Sequence, residues 1–140
     1  LAFDRAHTWS QKYNLVWDKV LGLKLFPQSL LEREVRYYQS KSNKFGPPLD
    51  DRAAFAKLDW TSWSACLSDD SSAFRSLIDP LYEFAVQTPD RVPLSDWYQT
   101  DTARHKSFRA RPVVGGLFMK MLCDEAMWKK WAREDDKAKG

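Results

Sequence analysis

Apolar residues recur along this chain at steps of three and four, the spacing that lines one face of an α-helix. Trp9, Tyr13, Val16, Val20 and Leu23 form the first series, with Thr8 or Ser10 as its cap. Gly22 and Pro27 close it, and Pro27 suits the first turn of a second helix reaching about Ser42. There Leu31, Val35 and Tyr38 share a face, while Glu32, Arg33, Glu34, Arg36 and Gln39 point outward. The short joint makes the pair a helical hairpin. A third helix is predicted from Asp59 or Trp60, with Trp60, Trp63 and Leu67 on one side. Ser68-Asp69-Asp70-Ser71 ends it and supplies the next N-cap. The fourth helix carries Phe74, Leu77, Ile78, Leu81 and Ala85, with a kink or a fresh first turn expected at Pro80. A last helix runs from Pro112 to about Arg133, striped by Val114, Leu117, Phe118 and Met121. Gly115-Gly116 in its first turn lowers helix propensity. Close approach of a neighbouring segment or a ligand would account for them.

The stretches between are turn-rich. Residues 43–56 read as a loop on Asn43-Lys44-Phe45-Gly46-Pro47-Pro48. Residues 88–111 form the longest irregular stretch, and their interleaved Trp, Tyr and Phe argue against disorder. The polar tail, 134–140, is expected to fray. The fold class is therefore all-α, about five helices in hairpins with little credible strand, in one domain over 1–140.

Composition changes this picture in a few places. Seven Trp stand among 140 residues, each suited to a core or to the wall of a ligand site. The net charge of +3 comes from Lys and Arg dispersed along the chain, so no dense basic arm points to nucleic acid. No apolar run approaches the ~18 residues of a membrane span. Cys66 and Cys123 lie among apolar neighbours and read as two buried free thiols, with a single bridge left open. The first residues, Leu-Ala-Phe-Asp-Arg, lack an initiator Met and a signal-peptide pattern, as in a chain excised from a longer one.

Candidate chemistry gathers in three polar-aromatic stretches. Asp50, Asp59 and Asp96 each stand where a loop meets an aromatic-rich segment. A carboxyl held against indole rings is desolvated, and its pKa rises towards the range of general acid–base work. The plainer alternatives are that Asp59 caps the third helix and Asp50 pairs with Arg52. Arg109 and Arg111, two apart before a helix start, either clamp a substrate carboxylate or are solvated charges. Trp97 beside Tyr98 in a loop is the aromatic pair best placed to line a site. His7 and His105 have no metal-ligand spacing, and no nucleophile elbow or Cys–His signature occurs. Neither a metal nor a cofactor is expected.

Five motifs follow one another in order: Tyr13-Asn14-Leu15-Val16-Trp17-Asp18-Lys19, Pro48-Leu49-Asp50-Asp51-Arg52, Lys57-Leu58-Asp59-Trp60-Thr61-Ser62-Trp63-Ser64-Ala65, Arg91-Val92-Pro93-Leu94-Ser95-Asp96-Trp97-Tyr98 and Arg109-Ala110-Arg111-Pro112-Val113-Val114-Gly115-Gly116. Together they resemble the C-terminal part of the fungal secreted glutaminase A family, over roughly residues 9–122. The resemblance implies part of an (α/α)6 toroid of six helical hairpins. It also implies a secreted enzyme that hydrolyses glutamine to glutamate and ammonia without a cofactor. The polar residues of the matched motifs become the site candidates. Asp59, Asp96 and Asp50 stand for catalysis. Arg111, Arg109, Lys57 and Arg52 stand for substrate binding, with Trp60, Trp97 and Tyr98 as pocket walls. Leu58 departs from the polar residue expected in the motif. A full toroid needs about a dozen helices, so this chain is expected to be a fragment or shortened relative, weakly active or inactive alone. Its exposed inner faces make a homodimer, or a non-catalytic binding protein with an exposed aromatic face, the alternative.

Overall fold

The computed structural model describes residues 3–138, with side chains through Trp131. The chain is all-α apart from one small ribbon. Its helices are α1 (Val16–Val20), α2 (Gln28–Ser40), α3 (Leu58–Ala65), α4 (Ser71–Gln87), α5 (Met119–Leu122) and α6 (Glu125–Ala138). Single-turn 3-10 geometry covers Tyr13–Leu15, and a longer 3-10 segment covers Pro112–Phe118. Strands β1 (Phe55–Lys57) and β2 (Trp97–Gln99) pair antiparallel.

The periodic faces pack as their spacing requires. Leu31, Val35 and Tyr38 of α2 join Val16, Ala65, Cys66, Leu67, Leu77 and Met119 in one buried cluster. Phe45, Ala56, Leu58, Leu81, Phe84, Tyr98 and Ala103 form a second. Helix α4 spans both. Its Leu77 serves the first cluster and its Leu81 and Phe84 the second, on either side of Pro80. Helix α4 runs through Pro80 without interruption, so no new first turn begins there. Asp70 caps α4 through the Ser72 amide, 2.8 Å away, as the Ser68–Ser71 run predicted.

Three elements differ from the periodic reading, each for a physical reason. The first helix shrinks to Val16–Val20 behind one 3-10 turn, because residues 9–12 are held elsewhere. Gln11 N–H donates to the Leu49 carbonyl at 2.7 Å, Ser10 bridges Asp50, and Lys12 N–H donates to the Tyr38 hydroxyl. The irregular stretch 88–111 contains β2, which pairs with β1 over only three rungs, too few for alternation to announce. The last helix is broken into the 3-10 segment, α5 and α6. Residues 134–138 of the expected frayed tail belong to α6, and 139–140 lie outside the described residues.

Gly116 explains the first of those breaks. A Cβ there would lie 2.7 Å from Asp59 Cβ and 2.9 Å from Trp63 Nε1. Trp63 Nε1 donates to the Gly116 carbonyl at 3.1 Å, and Ser62 Oγ donates to the Leu117 carbonyl. The 3-10 segment therefore lies directly on α3, and Gly116 reflects that close approach. Gly115 has open space instead. Gly116→Ala is accordingly expected to lower stability by about 2 kcal/mol through overpacking. Gly115→Ala should be neutral or slightly stabilising, as a Gly→Ala change at a tolerant site is. Urea denaturation of both variants checks the contrast; equal stability of the two would contradict the packing.

Candidate active site

The ribbon explains why neighbouring aromatics part company. In β1 and β2, Lys57 pairs with Trp97 and Ala56 pairs with Tyr98. Successive strand residues face opposite sides. Lys57 and Trp97 thus share one face, only partly buried, while Ala56 and Tyr98 fill the other. Tyr98 is fully buried, stacks on Phe84 at 3.8 Å and donates its hydroxyl hydrogen to the Phe45 carbonyl. The expectation that Tyr98 walls a pocket does not fit this placement.

Lys57 stands at the end of β1 and is the residue from which α3 starts. Its ammonium lies 5.0 Å from the Trp60 ring centroid and 5.5 Å from that of Trp97. It also donates to Asp96 Oδ2 at 3.1 Å. From the start of the 3-10 segment, Arg111 reaches the same carboxylate, with Nε 3.0 Å from Oδ1 and a terminal nitrogen on Oδ2. Asp96 is 0% exposed, so its charge depends on these two cations. Burial favours its neutral form, but the Arg111 and Lys57 hydrogen bonds outweigh burial and hold its pKa below the usual carboxylate range.

Asp59 has the opposite environment. It sits in the first turn of α3, 4% exposed, with the cap position taken by Lys57. The helix-cap alternative for Asp59 is thus corrected: the cap lies two residues earlier, at Lys57. Burial is the main cause that raises its pKa, and the neighbouring Asp96 charge adds to it. The Trp60 amide and Lys57 pull the other way without reversing the shift. Its Oδ1 is buried and has no hydrogen-bond partner among the described residues. Tyr13 lies close enough that the Asp59 charge, after burial, raises the phenol's pKa. Tyr13 also stacks on Trp60 at 4.2 Å. Its helical spacing marked Tyr13 as part of an apolar stripe, so its place beside Asp59 was not legible in the sequence.

Asp50 is the third carboxylate, and Arg52 claims it. Arg52 Nε and a terminal nitrogen lie 3.0 and 2.8 Å from its two oxygens, and the Arg52 amide adds a third bond. Burial opposes its charge, yet these bonds lower its pKa overall. The pairing of Asp50 with Arg52 is the plainer of the two sequence alternatives. The pair lines two clefts. One, of about 390 Å³, is lined by Leu49, Ala53, Phe55 and Trp97 besides the pair. The other, of about 300 Å³, includes Tyr13, Asn14 and Trp60. The Asp59 and Asp96 carboxyls line neither.

Arg109 is not brought into this cluster. It is exposed and contacts the His105 ring, which in turn meets Asp90. Leu58, the departure from the expected motif, is a core residue of the second cluster, and its amide donates to the Asp96 carbonyl at 2.9 Å. An apolar side chain at that position therefore supports the ribbon and leaves the cluster's polar contacts intact. No helix among the described residues is long and apolar enough to cross a membrane.

Comparison with known proteins places the chain. Residues 1–121 match the model of the glutaminase A six helical-hairpin domain. Glutaminase A of Aspergillus oryzae is 32% identical over 126 residues, covering 87% of this chain and 18% of that protein. A protein named "Probable glutaminase" from Arthroderma benhamiae is 34% identical over 157 residues, covering 90% of this chain and 18% of its own length. The chain thus spans under a fifth of the length of these curated relatives. No solved structure matches it. The motifs, the all-α hairpin architecture and the match over most of its length agree: the chain belongs to the glutaminase A six helical-hairpin family.

Proposed function

We infer that this segment carries the carboxylate wall of a glutamine-hydrolysing site, with Asp59 as the general base. The observation that carries the reading is the divergence of three buried carboxylates. Asp96 and Asp50 are clamped by cations and held ionised, with little basicity. Asp59 alone of the three is pushed up, with Oδ1 unpartnered among the described residues. A base needs a free lone pair and a pKa drawn towards neutrality, and carboxylates driven apart by their surroundings mark such divisions of labour. Asp59 would take a proton from water as that water attacks the substrate amide carbon, and would return it to the amide nitrogen as the C–N bond breaks, so that ammonia leaves and the carboxylate is restored.

The other candidates take roles set by their contacts. Lys57 and Arg111 are committed to Asp96 and act as positioning residues that fix the floor beneath Asp59. Arg52, exposed along much of its side chain and lining both clefts, is the better cation for a substrate carboxylate. Trp60 and Trp97 wall the approach. Arg109, paired with His105 at the surface, takes no part. An extracellular location and glutamine as substrate come with the family resemblance and belong to the same proposal.

The 3-10 segment lies over Asp59, which is 4% exposed. The isolated chain is therefore expected to release little or no ammonia from glutamine. Robust release, abolished by Asp59→Asn, would overturn that expectation while supporting the base. In a chimera with this segment in place of its counterpart in the Aspergillus oryzae relative, Asp59→Asn should lower kcat about 10³-fold, the scale of general base catalysis. Unchanged kcat would sink the assignment.

The pH dependence follows from the sign of the shift. A base works ionised, so the rate should rise with pH through the raised Asp59 pKa and fall away below it. An acid limb at the position of an ordinary carboxylate, about 4, would contradict this. Lys57→Met leaves buried Asp96 with only Arg111 and should cost about 3 kcal/mol, the lower end for a broken buried pair. Asp96 stabilises above its unfolded pKa and ceases to do so as pH falls through its lowered folded value. The stability gap between Lys57→Met and the parent should therefore narrow in strong acid; a constant gap would contradict it.

A second reading rests on a different face. Trp128 and Trp131 on α6 are 52% and 55% exposed, beside exposed Phe118, Met121, Leu122 and Met127. Exposed apolar side chains of this number on two neighbouring helices suit association. Sedimentation should then show a dimer that Trp128→Lys dissolves. Tyr98, wholly buried, is no part of such a contact.

A further inference from the structure

Cys66 and Cys123 are distant in sequence and adjacent in space. Cys66 follows α3 and is 0% exposed in the first core cluster. Cys123 stands in the break between α5 and α6, half-buried and packed against the same cluster. Both are free thiols, Cys66 inside that cluster and Cys123 packed against it. Cys123 lines an open cavity of about 360 Å³ with Lys19, Gly22, Glu125 and Trp128. One thiol therefore borders an open cavity, and the other is buried behind the surface.

The surrounding charges favour ionisation of the reachable one. The hydrogen bond from Cys66 is the largest influence and brings Cys123 down to about 7; burial opposes it. Lys19 of α1 and Lys120 of α5 help, while Asp69, in the α3–α4 linker, works against it. Glu125 at the start of α6 faces the same cavity. The shared hydrogen bond and burial both hold the Cys66 thiol up, in its protonated form. A thiolate attacks and a thiol does not, so the order of events is built in.

We propose that Cys123 and Cys66 are a reactive thiol pair that takes small aliphatic disulfides as substrate, Cys123 attacking and Cys66 resolving, and closes to an intramolecular disulfide. In the first step the Cys123 thiolate attacks one sulfur of R–S–S–R, forms a mixed disulfide and expels RS⁻. Cys66 then loses its proton to solvent and attacks the Cys123 sulfur, expelling the second RS⁻. The two cysteines lose two electrons, and the small disulfide is reduced to two thiols. The closed bridge ties the end of α3 to the α5–α6 break. The chain between the two cysteines carries Asp96, Arg111 and the 3-10 segment that lies on Asp59. Oxidation thus fastens the cover over the candidate base. The thiol chemistry itself does not depend on the hydrolytic reading.

The native chain treated with glutathione disulfide and weighed intact under non-reducing conditions tests this. The expected product has lost two hydrogens and yields one peptide pair joining Cys66 to Cys123. Early samples should carry one glutathione, on Cys123. Cys66→Ala should halt the reaction at that adduct, and Cys123→Ala should leave Cys66 unmodified. Independent adducts on both cysteines would overturn the pair, as would a first adduct on Cys66 or reaction only in the unfolded chain. Should Cys66→Ala fail to fold, the parent's time course alone decides. Alkylation of Cys123 by iodoacetamide gives a second readout. Its pH midpoint should lie near 7 in the parent and rise towards that of an ordinary thiol in Cys66→Ala. An unmoved midpoint would contradict the contact.

Discussion

A carboxylate with no exposure to water is the constraint around which this molecule is arranged. Asp96 cannot stay charged at 0% exposure without partners, and the partners come from two other segments. Lys57 arrives at the end of β1, and Arg111 at the start of the 3-10 segment. Satisfying one buried charge thus draws three distant stretches to one point. The ribbon, the first turn of α3 and the close approach of Gly116 all follow from where those cations must stand. Lys57, once committed to Asp96, holds its ammonium near the faces of Trp60 and Trp97, where the ring quadrupoles favour it.

The same arrangement separates the neighbouring carboxylates by environment. Asp96 takes the cations' hydrogen bonds, and Asp59, near enough to feel both Lys57 and Asp96, is left with burial as its dominant influence. One residue becomes a fixed charge and the other a group whose proton is exchangeable nearer neutrality. That contrast in surroundings, rather than either residue's position in a motif, is what makes Asp59 the stronger candidate. The family relation gives the chemistry a context, and the opposite surroundings are the ground for proposing Asp59 over Asp96.

Much of the scaffold was legible in the sequence, because its helices bury regular faces. Leu31, Val35 and Tyr38 in α2 and Leu77 in α4 repeat at helical spacing and pack as that spacing demands. The failures have local causes. Residues 9–12 carry a helical pattern but spend their backbone on Leu49–Asp51 and, at Lys12, on the Tyr38 hydroxyl. The three-residue strands are too short for a period of two to show, so Tyr98 read like Trp97 although they face opposite ways. The glycine pair did signal close approach, and only one of the two makes it. The candidate carboxylates were all named in advance. Asp59 and Asp96 stood ahead of Asp50 but were not separated, since they look alike until Lys57 and Arg111 are seen to bond Asp96.

One cluster thus holds two aspartates whose proton affinities are shifted in opposite directions. Carboxyl ¹³C NMR titration of the chain measures this directly, residue by residue. Asp59 should titrate above the ordinary aspartate range and Asp96 below it, with Asp96 still ionised where Asp59 is already protonated. Coincident titration of the two, or Asp96 as the higher, would contradict the account.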